Sequence, residues 1–434
     1  MMTPIRTALV FVFLLVGLAE AQSTADISLK LQRKGFDQYP TAIEDFSIVG
    51  TAFADDSAIA SDISKIIRDD LSFHIAFRLI EMDSLLLQVL ELPRMTDPAW
   101  KHLGAEYLVK GEFTSAYPNV HVKYTMLDLG RSIEIKTDGL QTPRDNYRSL
   151  AHLIADDVVR LVAGMKPIFN TKMAFISSKS GNKEVYMCDY DGARISALTA
   201  NKSINLSPVW DAGGESIFYT SFKGGSPELW RVDVASNKHT RVVSYPGINA
   251  SPTISPDNDE ICMTLTKDDN AELYLLDING VMKRRLTYTS AIESSPSFGP
   301  NGFLIAFSSD RTGFPQVYLM DRDGLNPIRV TYNSRYNDSP AISPDGSKIV
   351  FVARGEDGQF GICVVDISGE NFRVITDGGS SENPHWAPDG YHIVYSSRHG
   401  NATDLFIADF LGIHNRRITS DGVSTNPYWG PYPR

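Results

Sequence analysis

The sequence predicts a two-domain protein, a small N-terminal α/β domain followed by a six-bladed β-propeller closed by the C-terminal strand. Three residue series running in phase predict the propeller. Ser207-Pro208, Ser251-Pro252, Ser295-Pro296, Ser339-Pro340, Asn383-Pro384 and Asn426-Pro427 carry prolines spaced 44, 44, 44, 44 and 43 residues apart. Asp189, Asp233, Asp277, Asp321, Asp366 and Asp409 keep the same rhythm, and Leu198-Thr199, Leu286-Thr287, Val330-Thr331, Ile375-Thr376 and Ile418-Thr419 close most units. Self-similarity at such a period marks a repeat architecture.

One unit, residues 295–331, reads as four short strands. Pro296 to Phe298 is the first, and Pro300-Asn301-Gly302 turns the chain with residues that tolerate positive φ. Phe303 to Ser308, Gln316 to Met320 and Ile328 to Thr331 follow, separated by Arg311-Thr312-Gly313 and Asp321-Arg322-Asp323-Gly324. Four strands per unit suit a propeller blade, not a helical repeat, which needs long runs of 3.6-residue periodicity. Lys172 to Thr199 lacks a preceding Pro-x-Trp strand, whereas Asn426 to Trp429 is such a strand with nothing after it. Each supplies what the other lacks. Joined, they form a sixth blade from both ends of the propeller, spanning 170–434.

The N-terminal domain, 22–165, has no such period. Ser57 to Ile80 carries a helical pattern through Ile59, Ile63, Ile66, Ile67 and Leu71. Asp97-Pro98 begins a short helix to Leu103, with Asp97 as N-cap and Pro98 at the first helical position. Glu106 to Thr114 and Val120 to Leu127 alternate as a hairpin around Pro118-Asn119, and Arg131 to Thr137 adds a strand. Tyr147 to Val162 is an amphipathic helix ended by Gly164 and Pro167, and a linker of roughly 163–170 leads to the propeller.

Residues 1–21 carry the marks of a secretory signal peptide. Arg6 supplies the positive start, Ala8 to Leu18 the apolar core, and Ala19-Glu20-Ala21 the cleavage pattern, predicting a mature start near Gln22. The chain is expected in an exported compartment, with no membrane insertion after cleavage. A formal charge of −11 argues against nucleic acid or an anionic membrane surface as partner. Cys188, Cys262 and Cys363 have no metal spacing and, being odd in number, make no disulfide framework; they read as core side chains.

No catalytic motif emerges. Gly378-Gly379-Ser380-Ser381-Glu382 fails as a nucleophile elbow, and there is no His-Glu-x-x-His, Walker loop or dinucleotide fingerprint. The Asp-x-Asp-Gly stretches at 189–192 and 321–324 lack the distal Glu of a calcium loop and read as Asx-bonded hairpin turns. His385 reads as packed or solvent-facing. The expectation is a monomer without catalytic residues, metal or cofactor; the competing expectation is a secreted hydrolase or lyase built from several blades around the channel.

The Ser-Pro-x-Trp/Ile/Phe…Pro-Asp-Gly units, Tyr186-Met187-Cys188-Asp189-Tyr190-Asp191-Gly192 and the terminus Asn426-Pro427-Tyr428-Trp429-Gly430-Pro431 resemble the TolB family, periplasmic propellers of the bacterial Tol–Pal envelope system. Two blades depart from the pattern, with Asp211-Ala212-Gly213-Gly214 and Asp257-Asn258-Asp259 in place of the Asp-Gly turn. The resemblance implies a periplasmic adaptor that binds the outer-membrane lipoprotein Pal at the propeller mouth and the inner-membrane protein TolA through its N-terminal segment. Its role would be envelope integrity and outer-membrane invagination during division.

The loops entering the innermost strands, 203–207, 247–251, 291–295, 335–339, 379–383 and 422–426, mix polar groups with exposed Ile248, Ile292 and Tyr336. That mixture suits a protein or peptide ligand. The resemblance places Pal contacts on Ile248, Asn249, Ser251 and Ser294, with Asp338 and Glu382 as neighbours by repeat symmetry. It places the TolA-binding segment on Gln22 to Lys34, including Leu29 and Leu31.

Overall fold

The computed structural model describes residues 38–50, 53–81, 97–376 and 379–433. The signal-peptide reading and the expected contacts Gln22, Leu29 and Leu31 lie outside the described residues. The chain divides into two compact units between Ala163 and Gly164.

In the first unit, strands β1 (Tyr39–Ile43), β2 (Ser47–Ile48), β3 (Phe77–Leu79), β4 (Tyr107–Ala116), β5 (Asn119–Asp128) and β6 (Ile133–Pro143) form one mixed sheet of order β3-β1-β4-β5-β6, with β2 beside β4. Helices α1 (Asp56–Phe73) and α3 (Tyr147–Val158) bury Ile59, Ile63, Ile67 and Leu71, and Leu150, Ile154 and Val158. α2 (Asp97–His102) is short, and its Asp97 carboxylate receives Lys110 Nζ at 2.9 Å. The helical pattern expected through Ile80 stops at Phe73. His74 takes an extended conformation (ψ 122°), and Phe77–Leu79 pairs in parallel with Tyr39–Thr41. The apolar residues beyond Phe73 belong to a strand whose spacing happened to continue the helical template. No described helix is long and apolar enough to cross a membrane.

The second unit is six four-stranded antiparallel sheets. Blades one to five run Asn205–Val243, Asn249–Arg285, Glu293–Arg329, Asn337–Val374 and Ser380–Arg417. In the sixth, Ser424–Trp429 pairs with Lys172–Ser177, setting Thr425 opposite Ile176 and Trp429 opposite Met173. Between blades lie the apolar clusters, such as Val209, Phe218, Ile254, Met263 and Tyr274.

Each repeat series has a structural cause. The recurrent threonines cap the third strand from the end of the fourth. Thr199, Thr287, Thr331, Thr376 and Thr419 each accept a backbone N–H, from Val185, Leu273, Val317, Ile362 and Leu405 respectively, at 2.8–3.0 Å. The recurrent aspartates hold the turns after the third strand. Asp277 Oδ1, for example, accepts the N–H groups of Asn279 and Val281 at 3.0 and 2.8 Å. In the departing turn of the second blade, Asn258 takes φ +61° and its Oδ1 accepts the Ala212 N–H of the first blade at 2.8 Å. All three cysteines are buried, and burial pushes every thiol up, that of Cys363 to about 12.

Candidate functional site: the propeller mouth

The Ser/Asn-Pro pairs form a β-bulge in every innermost strand. In the second blade Ala250 faces Thr264 and Thr253 faces Cys262, so Ser251 and Pro252 together oppose Met263. The same two-against-one break falls at Ser207-Pro208, Ser295-Pro296, Ser339-Pro340, Asn383-Pro384 and Asn426-Pro427. The first residue of each pair has positive φ, between 48° and 55°. Proline lacks an N–H, so seating it in a bulge leaves no ladder donor idle. The six bulges and the residues after them line a central cavity of about 140 Å³.

Period-two alternation then sorts the residues just ahead of the bulge. Three positions before each proline stand Asn205, Asn249, Glu293, Asn337, Ser381 and Ser424, all buried. Their polar groups tie the entry loop down. Asn249 Nδ2 donates to Pro227 O (3.0 Å) and Tyr245 O (2.7 Å), and its Oδ1 accepts the Tyr245 N–H (3.0 Å). Asn337 Nδ2 reaches Gln316 Oε1 and Ser334 O, both at 2.9 Å. Glu293 receives Arg311 Nη2 at 3.0 Å and Thr289 Oγ1 at 2.8 Å. Burial nonetheless holds the Glu293 carboxyl above the usual range, against the pull of those donors.

Four positions before each proline the side chains turn outward. Ile204 (49% exposed), Ile248 (49%), Ile292 (55%) and Val423 (38%) ring the mouth, with Tyr336 half-buried among them. Ser380 is the buried exception. Ile248, Ile292 and Tyr336 thus stand at equivalent positions of three adjacent blades. Asn249 faces the opposite way, and its buried amide is spent on the loop. Its side chain is fully buried and ties the entry loop to the preceding blade edge. Ser251 sits in its bulge, and Ser294 is half-exposed one residue before the next. Asp338 Oδ1 accepts from Ser308 Oγ (2.5 Å) and the Ser339 N–H (2.6 Å), while its Oδ2 accepts from Tyr336 Oη at 3.1 Å. Burial and the neighbouring Asp338 push the Tyr336 phenol up to about 12. Glu382 is exposed. Sequence reasoning missed Ile204 and Val423, although the offset from proline identifies both.

Deeper in the channel, His385 stacks on Tyr428 with ring centroids 3.6 Å apart. Its Nδ1 is enclosed without a hydrogen-bond partner, and burial lowers its pKa to about 4, so the imidazole is neutral at neutral pH. The remaining lining is serine, threonine, asparagine, proline, alanine and valine.

The comparisons fit this geometry. The TolB amino-terminal domain family matches residues 27–135, and the TolB β-propeller domain family matches residues 159–433. A Tol-Pal system protein TolB of Alkalilimnicola ehrlichii is 33% identical over 220 residues, half of each chain. That of Geobacter sulfurreducens is 31% identical over 175 residues, 38% of each chain. The alignments span about half the length or less of these relatives. The crystal structure of TolB from Acinetobacter baumannii superposes with a TM-score of 0.79 at 24% identity, covering 92% of this chain and 98% of that one, which speaks for the fold. With one matched domain leading into the other, and the propeller match alone covering well over half of its residues, the chain belongs to the TolB family.

Proposed function

We propose that the chain is a non-enzymatic, monomeric periplasmic adaptor of the Tol–Pal system. Its mouth binds a Pal-like outer-membrane lipoprotein, and its N-terminal segment, Gln22 to Lys34, binds a TolA-like inner-membrane protein. The linkage serves outer-membrane integrity and invagination during division. The observation that carries the reading is the ring of Ile204, Ile248, Ile292, Tyr336 and Val423, apolar anchors on loops held rigid by buried hydrogen bonds. Apolar anchors rimmed by polar groups are the make-up of a protein-binding surface. The non-enzymatic part is supported by the channel wall, where one histidine faces no carboxylate, lysine or arginine among the lining residues. A hydrolase or lyase would need such groups gathered around the cavity.

The test is capture of envelope partners by the mature protein. A lipoprotein with a peptidoglycan-binding domain should be recovered, and the double change Ile248→Asp/Ile292→Asp should release it. Recovery of no such lipoprotein would sink the reading. Deleting residues 22–34 should alter the lipoprotein's dissociation constant if the two binding sites are coupled, and an unchanged constant would remove the coupling.

A further inference from the structure

The mouth is electrically lopsided. At or just past the end of the second strand of each of five blades a cation lies over an aromatic ring of the third. Lys179 covers Tyr186 (4.7 Å), Lys223 covers Trp230 (5.3 Å), Lys267 covers Tyr274 (5.2 Å), Arg311 covers Tyr318 (4.7 Å) and Arg354 covers Phe360 (6.0 Å). In the second and third blades this charge is answered, Lys267 by Asp268 at 2.8 Å and Arg311 by Glu293 at 3.0 Å. Over the fourth, sixth and first blades no carboxylate pairs with it among the described residues; Arg354 donates to Gly358 O at 3.2 Å. On the sixth and first, Lys179 and Lys223 are exposed, joined by exposed Lys183 and Lys202, and none of the four ammonium groups pairs with a carboxylate among the described residues.

Hydrogen bonds gather Lys183, Lys202 and Lys223 around Ile204, and Lys179 follows Ser178, whose N–H donates to the carbonyl of the adjacent anchor Val423 at 3.2 Å. Lys183 O accepts the Asn205 N–H at 3.0 Å, and Ile204 O accepts the N–H of Phe222, the neighbour of Lys223, at 2.9 Å. The Lys202 N–H donates to Glu184 Oε1 at 2.8 Å. The two acids beneath are buried and engaged. Glu184 accepts from Thr199 and Asn205, and Glu228 from Trp230 and Arg241. The other side of the mouth carries Asp338 and Glu382 beside the exposed Arg335, while the exposed Asp421 belongs to the sixth blade, where its Oδ2 accepts from Ser177 Oγ at 3.0 Å. In a chain of net charge −11, four lysines without an ion-pair partner, set against one exposed neighbouring carboxylate at Asp421, are a local inversion.

We infer that the sector of Lys179, Lys183, Lys202 and Lys223 around Ile204 docks an acidic segment of the mouth's protein partner, with carboxylates flanking an apolar side chain that sits on Ile204. The inference rests on the proposed protein-binding mouth and adds the partner's charge and orientation. A uniform polyanion such as nucleic acid or an anionic membrane would also cover the acidic side and be repelled there. A protein segment can confine its negative charge to one end. Complementary fields of this kind steer encounter and fix register more than they add affinity.

Titration calorimetry with the soluble domain of the Pal-like lipoprotein tests it. Changing all four lysines to Ala should weaken binding about 10-fold, and to Glu about 100-fold or more. Raising salt from about 50 to 300 mM should weaken wild type far more than the Ala variant. Carbodiimide coupling of the complex should join partner carboxylates to these lysines. Circular dichroism of the Ala variant, whose changes are all on exposed loops, checks that it folds. Unchanged binding and salt slope in both lysine variants, with Ile248→Asp still abolishing binding, would overturn the sector and leave the mouth reading standing. If Ile248→Asp is also silent, both readings fall. Loss of binding to phosphatidylglycerol vesicles in the Ala variant, with lipoprotein affinity intact, would assign the lysines to a membrane surface instead.

Discussion

Trp429 donates its indole N–H to Thr171 Oγ1 at 2.7 Å, joining residues 258 positions apart at the seam of the ring. The indole is buried and its strand completes the sixth blade, so the seam holds both ends of the propeller. Truncation after Gly422 should therefore remove the cooperative unfolding transition of the whole propeller. Within the full chain, Trp429→Ala should cost about 3–5 kcal/mol, and Thr171→Val about 1 kcal/mol. Urea titration followed by near-ultraviolet circular dichroism checks each. Loss of a single blade's worth of signal with the rest intact would contradict the closed ring.

The threonine that ends each blade makes a second prediction. Thr331 Oγ1 accepts the Val317 N–H and donates to Gln316 Oε1, both at 2.9 Å, and all three residues are buried. Thr331→Val keeps the shape but strands the Val317 backbone donor and leaves the Gln316 amide oxygen with only its bond from Asn337 Nδ2. A loss of about 1–3 kcal/mol is expected, while Thr331→Ser, which keeps the hydroxyl, should lose less. Equal losses in the two variants would show that packing, not the hydroxyl, sets the requirement.

The blade count was legible because every blade reuses the same local chemistry: a proline in a bulge, an aspartate in a turn, a threonine under a strand end. Such solutions depend on a few neighbouring residues, so they recur at a fixed offset in sequence. The outward ring was legible in part. Ile248, Ile292 and Tyr336 stood out, and the same four-residue offset before proline marks Ile204 and Val423. The inward fate of Asn249 follows from strand alternation beside Ile248. The lysine sector was not legible. Lys267 has Asp268 and Lys223 has Gly224 beside it in the sequence, but that Lys179, Lys183, Lys202 and Lys223 come to share one side of the mouth is set by the closure of the sixth blade against the first. The end of α1 was hidden for another reason. No Gly or Pro follows Phe73, and the apolar residues of β3 extended the helical spacing.

The bulge itself should be sensitive to side-chain shape. Ser295 has φ +51°, in the left-handed region, and lines the channel beside Pro296. A β-branched residue is strained there, whereas Asn tolerates the conformation and already occupies it at 383 and 426. Ser295→Val should cost about 1–2 kcal/mol, and Ser295→Asn should be close to neutral. Thermal unfolding of the two variants beside wild type measures the difference. A Val variant as stable as the Asn variant would mean that the backbone relaxes out of the bulge.

His385 supplies the pH dependence. Its pKa falls from an ordinary 6.5 to about 4, because burial against Tyr428 disfavours the charged ring. Between those two values the unfolded chain binds a proton that the folded chain does not. Stability should therefore rise with pH across this window, and the contribution should be lost as pH falls from 6.5 towards 4. Its full size is about 3 kcal/mol at most, less whatever the channel's solvent screens where the ring edge reaches it. His385→Gln abolishes the titration and keeps a polar side chain. Urea midpoints recorded from pH 7 to 4.5 should fall more steeply for wild type than for this variant, the two curves converging as the pH drops. Parallel curves would mean that the imidazole is protonated in the folded channel, with a counter-charge or water taking up the proton's field.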